Sequence, residues 1–597
     1  MAQDQQTAPA ANRPQATAPP TPGPARVTPA DVARSAVTHG ETMTGAQAIV
    51  RSLEAVGTTV VFGIPGGAIL PTYDPLMDST RLRHILMRHE QGAGHAAEGY
   101  AYTTGDVGVC MATSGPGATN LVTGIATAWH DSVPLVALTG NVARDLIGRD
   151  SFQEVNIVDI SRSVVKKNYF VEDASQIAGI VREAFEIACS GRKGPVLIDF
   201  PKDVTAQRVP FVPQPKAVRL PGRAPDAEAL QKAAEAIASS ERPLIYAGGG
   251  ATFSDSAEAL SAFARKIHAP VCTSLMGLTS LPADSDLNLG LVGMHGTATA
   301  NMAVANCDLL LAVGARFSDR VASNRAHFAK NATVVHLDID PREIGKNVRA
   351  DIPLVGDVGA ALRALDKLLP ELRHRDWMHK LLRHKALNEL PFARSEGDEV
   401  NPREVITELR ALVGPDAIIA TDVGQHQMLV AQYYPFSRPR SFLSSCGLGT
   451  MGYGMGAANG AAVGNPGRPV VLFTGDGSFH MNLAELAVSV SNNLKIVVVI
   501  MNNRVLGMVH QWQKLFYQGR YSFTEIDRRT DFAKLAEAFG ATGMRIERSA
   551  EIRPVLEKAL ACDGPCVVDC AIPSGQRVFP IIPPGGKEDD MIYSEEI

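Results

Sequence analysis

The stretch VVLFTGDGSFHMNLAELAVSVSNNLKIVVVIMNN, Val470 to Asn503, decides the fold. VVLFT and IVVVI within it are short, β-branched and apolar throughout, the pattern of strands buried on both faces of a sheet. NLAELAVSVS between them has helix-forming content and the length of a crossover, so the unit reads as β-α-β with parallel strands. Parallel strands end on one edge of their sheet, and open α/β sheets bind ligands there. Asp476 follows the first strand in G-D-G and Asn503 closes N-N after the second, so the two converge despite their separation in the chain. A carboxylate and an amide carbonyl are hard oxygen donors suited to Mg2+, which completes its octahedron with phosphates and water. Gly475 and Gly477 permit close backbone approach, and the helix start supplies N–H groups to an anion. G-D-G alone is common in ordinary turns; its spacing to N-N across a full crossover points to a Mg2+–diphosphate site.

The same alternation recurs along the chain. From about Thr44 to Val209, runs such as TTVVFGI, LRHILMR, VGVCMAT, PLVALTG and GPVLIDF alternate with helix-length segments. A proline-rich connector, Pro210 to Pro225, leads to a second block with RPLIYAGG, PVCTSL, CDLLLAVG and ATVVHLDID. RHRDWMHKLLRHKALNE reads as a solvated connecting helix, and a third block carries AIIATDVG, VVLFTGDG, IVVVIMNN and PCVVDCAI. The expected architecture is α/β, three doubly wound parallel-sheet domains at 41–210, 226–370 and 400–575, with a tail at 576–597. Residues 1–40, rich in Ala, Pro, Thr and Gln, bury too little apolar surface to order themselves and read as a disordered tail.

Bulk composition narrows the function. The chain has 597 residues, 45% hydrophobic and 20% charged, the balance of a globular protein. A net charge of −5 argues against nucleic-acid or anionic-membrane partners. No apolar run reaches the roughly 18 residues of a membrane span. Eight cysteines are too sparse for a disulfide framework, and together with the lack of an apolar leader they suggest a cytoplasmic setting. Cys562, Cys566 and Cys570 lack a C-x-x-C pair and read as structural thiols rather than a metal site.

G-D-G followed by N-N resembles the metal and diphosphate motif of thiamine-diphosphate-dependent enzymes. The likeness extends over the chain after the tail and is strongest to the acetohydroxyacid (acetolactate) synthase catalytic subunits. It implies that Asp476, Asn503 and the Val505 carbonyl bind the metal. RHEQGAGHAAEGYA is similar to the family's catalytic-glutamate motif, which places Glu90 on the cofactor's aminopyrimidine; from the residues alone Glu90 is a glutamate suitably placed at a helix N-terminus. In the family that contact crosses between subunits, so a homodimer or homotetramer with the active site at the dimer interface is implied. CGLGTMGYG places Met451 where a bulky side chain bends the cofactor and Gly449 where a carbonyl meets its amino group. DVGQHQM resembles the diphosphate loop with Gly424, Gln425 and His426, and Ser478 joins Gly475 and Gly477. Gly456 and Asn459 stand where the family usually has Pro and an aliphatic residue.

The implied reaction is decarboxylation of pyruvate, with transfer of the hydroxyethyl carbanion to a second pyruvate or to 2-ketobutyrate. It yields 2-acetolactate or 2-aceto-2-hydroxybutyrate, early in branched-chain amino-acid synthesis. Gly67, Gln153 and Lys202 are placed with Glu90 at the reacting centre, and Ala68, Phe152, Arg320, Met508, Val509 and Trp512 around the substrates. Trp512 is expected to narrow the acceptor pocket in favour of 2-ketobutyrate, and Arg320 to pair with a carboxylate. Ser318 replaces the first Asp of the usual F-D-D-R. LVGMHGTATAN, GARFSDR and HLDIDPREIGKN…VGD resemble FAD-binding segments, implicating Arg192, His295, Gly296, Gly314, Arg316, Asp338, Asp340 and Asp357; the flavin would perform no net redox. A small regulatory subunit is a further implied partner. The nearest rival is a flavin-dependent pyruvate oxidase. Glyoxylate carboligase is disfavoured by a glutamate at position 90, and simple decarboxylases by the lack of an adjacent His pair in the first block.

Overall fold

The computed structural model describes residues 40–216, 222–388, 397–526 and 529–594. The expected N-terminal tail, Gly40 excepted, lies outside the described residues. Three six-stranded sheets, parallel throughout, form three α/β domains. In spatial order the first contains Arg83–Leu86, Val60–Gly63, Gly108–Ala112, Leu135–Asn141, Pro195–Pro201 and Lys167–Phe170. The second contains Asn288–Leu291, Val271–Thr273, Pro243–Ala247, Leu309–Val313, Thr333–Asp338 and Ile352–Val355. The third contains Phe442–Leu443, Ile418–Thr421, Val470–Gly475, Ile496–Asn502, Cys566–Ala571 and Thr542–Ile546.

The strands named from their apolar runs occupy sheet interiors, with Arg83–Leu86 the exception. The other five edge strands are not among the runs named from the sequence; Lys167–Phe170, for example, has no buried residue. An edge strand covers little core, so its sequence needs few apolar residues. Val470–Gly475 and Ile496–Asn502 are buried at every position and pair in register from Val470↔Ile496 to Gly475↔Met501. Their ends therefore lie side by side, and Asp476 and Asn503 begin the adjoining loops. The crossover helix is not continuous: Asp476–Asn482 gives way to a 3-10 turn at Leu483–Glu485 before Leu486–Ser491.

The first and third domains meet through two glycine- and alanine-rich helices, Glu90–Thr104 and Tyr453–Gly464. A Cβ on Gly99 would lie 2.2 Å from Ala457 O and one on Gly460 1.8 Å from Ala96 O, so bare backbone is the condition of this packing. Gly456 belongs to the same contact, facing Gly92 O and His95 Cβ. Asn459 is buried but satisfied, donating to Glu485 O at 2.9 Å and accepting from Ser489 Oγ at 2.6 Å.

The connecting helix, Arg375–Asn388, is less solvated than its charge suggests. Trp377, Met378 and Leu381 are buried in the central domain, and Trp377 Nε1 donates to Pro243 O at 3.0 Å. The segment after Pro573 packs back on the molecule: Val578 is buried, Ile582 N donates to Met294 O, and Ile581 bridges Ile592. None of the eight cysteines is in a disulfide. Among the described residues no helix is long and apolar enough to cross a membrane.

Candidate active site

The carboxyl ends of the third sheet bring four separate loops together. Asp476 is 3% exposed, and burial lifts its carboxyl to about 7, against the pull of backbone N–H groups from Gly477 and Arg504. Asn503 accepts from Val505 N at 3.2 Å through Oδ1 and donates through Nδ2 to Gln425 Oε1 at 3.2 Å. Gln425 is pinned in turn, its Nε2 donating to Gln511 Oε1 at 2.9 Å and Gln576 O at 3.0 Å. The next residue, His426, is buried with Nε2 lacking a partner, and burial lowers its ring to about 3. Gly424 has φ +154, and a Cβ there would meet the His426 ring at 2.9 Å. A Cβ on Gly507 would stand 2.2 Å from Gln425 Oε1, and one on Gly477 2.7 Å from Leu506. Ser478 Oγ donates to Val423 O at 2.9 Å, tying the Asp476 helix to the Gln425 loop.

These residues line a cavity of about 1680 Å³ together with Gly449, Met451, Val505, Met508, Val509 and Trp512. A single small-molecule site holds roughly 300–1,000 Å³, so the space exceeds one ligand of that class. Its other wall is the central domain: His295, Gly314, Arg316, Arg320, Asp338, Asp340 and Asp357, with Arg192 from the first domain. Arg192 Nη1 pairs with Glu343 Oε1 at 3.1 Å, and its Nε donates to Ser132 Oγ at 2.9 Å. Burial raises Asp338 to about 6 although its Oδ1 accepts Asp340 N at 2.9 Å. Asp340 grips Arg342 through both carboxylate oxygens, and Asp357 caps the helix Val358–Leu368 by accepting Ala360 N at 2.9 Å. His295 is buried with Nδ1 unpartnered, and burial, then Arg320, lowers it to about 4. Arg320 lies over the Trp512 ring at 5.6 Å, joining the central and third domains on the cavity wall. Gly296 is off the wall, folded under it against Gly293 N.

The remaining first-domain residues do not reach this cavity within one chain. Glu90 opens the helix Glu90–Thr104 and is 9% exposed, its Oε2 accepting from Asn120 Nδ2 at 2.9 Å. Thr113 links it to the loop after Val60–Gly63: a Cβ on Gly117 would touch both Thr113 and Glu90, and Ala68 N donates to Thr113 Oγ1 at 3.3 Å. Gly67 adjoins Ala68, and Gln153, with φ +60, presses on Gly115. Phe152 beside it is 87% exposed. Glu90, Gly67, Ala68 and Gln153 thus form a second cluster at the carboxyl edge of the first sheet, while Lys202 is exposed past the end of Pro195–Pro201. Two groups escaped the sequence reading. Gln511 lies in HQWQ, where nothing marks it, and Glu485, which accepts His89 N at 2.8 Å just before Glu90, is one more helical carboxylate.

Comparison with known proteins identifies the family of the chain. Residues 43–160 match the thiamine pyrophosphate enzyme N-terminal TPP binding domain, 230–365 its central domain and 422–570 its C-terminal TPP binding domain. The acetolactate synthase of Mycobacterium bovis is 46% identical over 567 residues, covering 92% of this chain and 91% of the relative. A probable acetolactate synthase large subunit of Methanocaldococcus jannaschii is 46% identical over 92% of this chain and 95% of its own length. The isozyme 2 large subunit of Escherichia coli is 43% identical over 92% and 99%. The chain belongs to the acetolactate synthase large subunits, within the thiamine-diphosphate-dependent enzymes.

Proposed function

We propose that this chain condenses two 2-ketoacids: it decarboxylates pyruvate on thiamine diphosphate and transfers the two-carbon unit to a second pyruvate or to 2-ketobutyrate. The observation that carries the reading is the meeting of Asp476, Asn503, Gln425 and His426 on the wall of one cavity that the Gly449–Met451 loop also lines. The donor set fits a divalent cation and a diphosphate. Asp476 is a buried carboxylate that a cation would neutralise, the Asn503 carbonyl has a second lone pair, and His426 Nε2 is an orphaned buried atom facing an anion's place. Asp476, Asn503 and the Val505 carbonyl would hold Mg2+, and Gly424, Gln425, His426, Gly475, Gly477 and Ser478 would surround the diphosphate. When bound, thiamine diphosphate supplies a nucleophilic carbon and an electron sink for the decarboxylation.

The other residues orient and select. Glu90 holds or passes a proton at the aminopyrimidine, with Asn120 fixing its carboxylate. Because Glu90, Gly67, Ala68 and Gln153 share a face that misses the chain's own cavity, the complete centre joins two copies, the first domain of one against the third domain of the other. Lys202 draws in carboxylates near that face. Met508, Val509 and Trp512 border the acceptor, whose carboxylate meets Arg320. The surplus volume and the polar wall of Arg192, Arg316, Asp338, Asp340, Asp357 and His295 suit a second, larger cofactor, which we assign as FAD. The matched relatives are named as large subunits, which supports a separate small regulatory partner here.

The test is an assay of purified chain with pyruvate, thiamine diphosphate and Mg2+, scoring acetolactate, CO2 and peroxide together. Acetolactate without peroxide is the expected outcome; peroxide with acetate or acetyl phosphate would favour the oxidase chemistry.

A further inference from the structure

The loop that presents Gly449 and Met451 is hung between two buried carboxylates from different domains. Asp131 ends the first-domain helix Val122–Asp131, and its Oδ1 and Oδ2 accept Gly447 N at 2.7 Å and Cys446 N at 3.0 Å. One helical turn earlier, Thr127 Oγ1 meets Thr450 Oγ1 at 3.0 Å. At the far end Asp422 of the third domain accepts Gly452 N at 2.8 Å and Gly454 N at 3.3 Å, while Asn482 Nδ2 donates to Gly452 O at 3.0 Å. Thr450 N adds a bond to Ser445 Oγ at 3.0 Å. Between these anchors Leu448 and Gly449 are exposed and Met451 is half-buried on the cavity wall.

Asp131 is badly placed for stability. It is 1% exposed and sits at the C-terminal, negative end of its helix, where a carboxylate is disfavoured. What offsets this is the pair of charge-assisted bonds to the loop, each stronger than a neutral one, with the Arg316 and Arg192 charges nearby. Gly447 fits that contact because a Cβ there would stand 2.9 Å from Asp131 Oδ1 and 2.9 Å from His130 Cβ. The hydrogen bonds end on backbone amides, so Asp131 fixes where the loop runs and leaves open which side chains it carries.

The geometry points to Asp131 as a positioning residue: through the Cys446 and Gly447 amides it sets the height of the Gly449 carbonyl and the Met451 side chain against the thiamine rings, with Thr127 as a weaker second hold. This rests on the reading that the cavity takes thiamine diphosphate, and it goes beyond that reading by assigning ring placement to a first-domain residue of the same chain. The diphosphate end, built on Asp476, Asn503 and Gln425, has no bond to Asp131; the two ends share the anchors Asp422 and Asn482, while Asp131 holds only the ring end.

The experiment compares wild type, Asp131→Asn and Thr127→Val. It titrates thiamine diphosphate with Mg2+, then inorganic diphosphate with Mg2+, and records flavin absorbance, kcat and KM for pyruvate. An asparagine keeps the volume but can accept only one of the two amides. The expected result for Asp131→Asn is about tenfold weaker thiamine diphosphate and a kcat down by roughly 10- to 100-fold, as a misplacement of about 1 Å costs. Inorganic diphosphate affinity, flavin content and KM stay at wild-type values, and Thr127→Val moves the same way by about threefold. Unchanged cofactor affinity and kcat would overturn the proposal. So would equal weakening of both ligands with flavin loss, since that marks a purely structural role. Should Asp131→Asn not fold, Thr127→Val decides: selective loss of thiamine diphosphate supports the assignment, and none refutes it. Wild type failing to bind thiamine diphosphate at all is a distinct result, which removes the functional reading itself.

Discussion

Asn503 and Gln425 lie 78 positions apart and meet through a 3.2 Å hydrogen bond from Nδ2 to Oε1. That bond turns the Asn503 carbonyl away from Gln425, with Oδ1 engaging Val505 N and a lone pair to spare. Gln425 could not swing aside, because Gln511 and Gln576 hold its amide nitrogen. The proposed metal site is therefore braced by side chains that do not touch the metal.

Gly507→Ala tests the brace. Its Cβ would lie 2.2 Å from Gln425 Oε1 and 2.6 Å from Asn503 Nδ2, so the pair must separate. The expected outcome, read by titrating Mg2+ and thiamine diphosphate into the purified variant, is affinity at least about tenfold weaker with flavin still bound. Wild-type affinity would show that the pair does not support the site.

Removing the carboxylate itself is a stronger perturbation. Asp476→Asn should abolish Mg2+-dependent retention of thiamine diphosphate and lower turnover by about 100-fold or more. The flavin spectrum and thermal transition are expected to stay close to wild type, because the residue faces the cavity.

Glu90→Gln separates binding from chemistry. Asn120 still finds an oxygen to donate to, so the side chain stays in place. A positioned proton-transfer group contributes about 10²- to 10⁴-fold, and kcat should fall within that range with cofactor affinity changed only a few-fold. Steady-state kinetics beside cofactor titration is the check, and unchanged turnover rejects the role.

Trp512 gives a selectivity prediction. It lines the cavity with the Arg320 guanidinium over its ring. Trp512→Leu should bring the ratio of 2-aceto-2-hydroxybutyrate to acetolactate, measured with mixed ketoacids, down by about tenfold or more, since one methylene is worth about 1–3 kcal/mol. A wild-type ratio would move the acceptor pocket elsewhere.

A pH prediction concerns Asp199, fully buried in the first sheet, where it accepts Thr139 Oγ1 and Asn141 Nδ2, both at 2.6 Å. Burial raises its carboxyl to about 7, although both hydrogen bonds oppose the shift. The folded state then holds a proton that the unfolded chain releases near pH 4, so stability falls as pH rises from about 4 to 7. The loss from this group is at most about 4 kcal/mol, from 1.36 kcal/mol per pKa unit. Thermal unfolding between pH 5 and 8 should show a shallower decline of Tm in Asp199→Asn than in wild type; parallel curves would contradict the assignment.

How much of this was legible in the sequence follows from burial. Interior strands such as Val470–Gly475 announce themselves because both faces need apolar side chains. Thr542–Ile546 at a sheet edge has one buried residue and gives no such signal. Asp476 and Asn503 were legible because their positions follow from strand ends alone. Gln511 and Asp131 were not, because their partners, an amide and two backbone N–H groups, lie far along the chain and leave no local pattern. The division of the site came from the family resemblance and not from the residues themselves: strand ends place Glu90 on an edge, and three-dimensional packing shows that this edge misses the chain's own cavity.

The most direct measurement is the carbon balance of the purified chain supplied with pyruvate, thiamine diphosphate and Mg2+. The account predicts one acetolactate and one CO2 for every two pyruvates consumed, with activity lost when the divalent ion is chelated and restored when it is returned. CO2 released with no new carbon–carbon bond, or turnover indifferent to the metal, would contradict it.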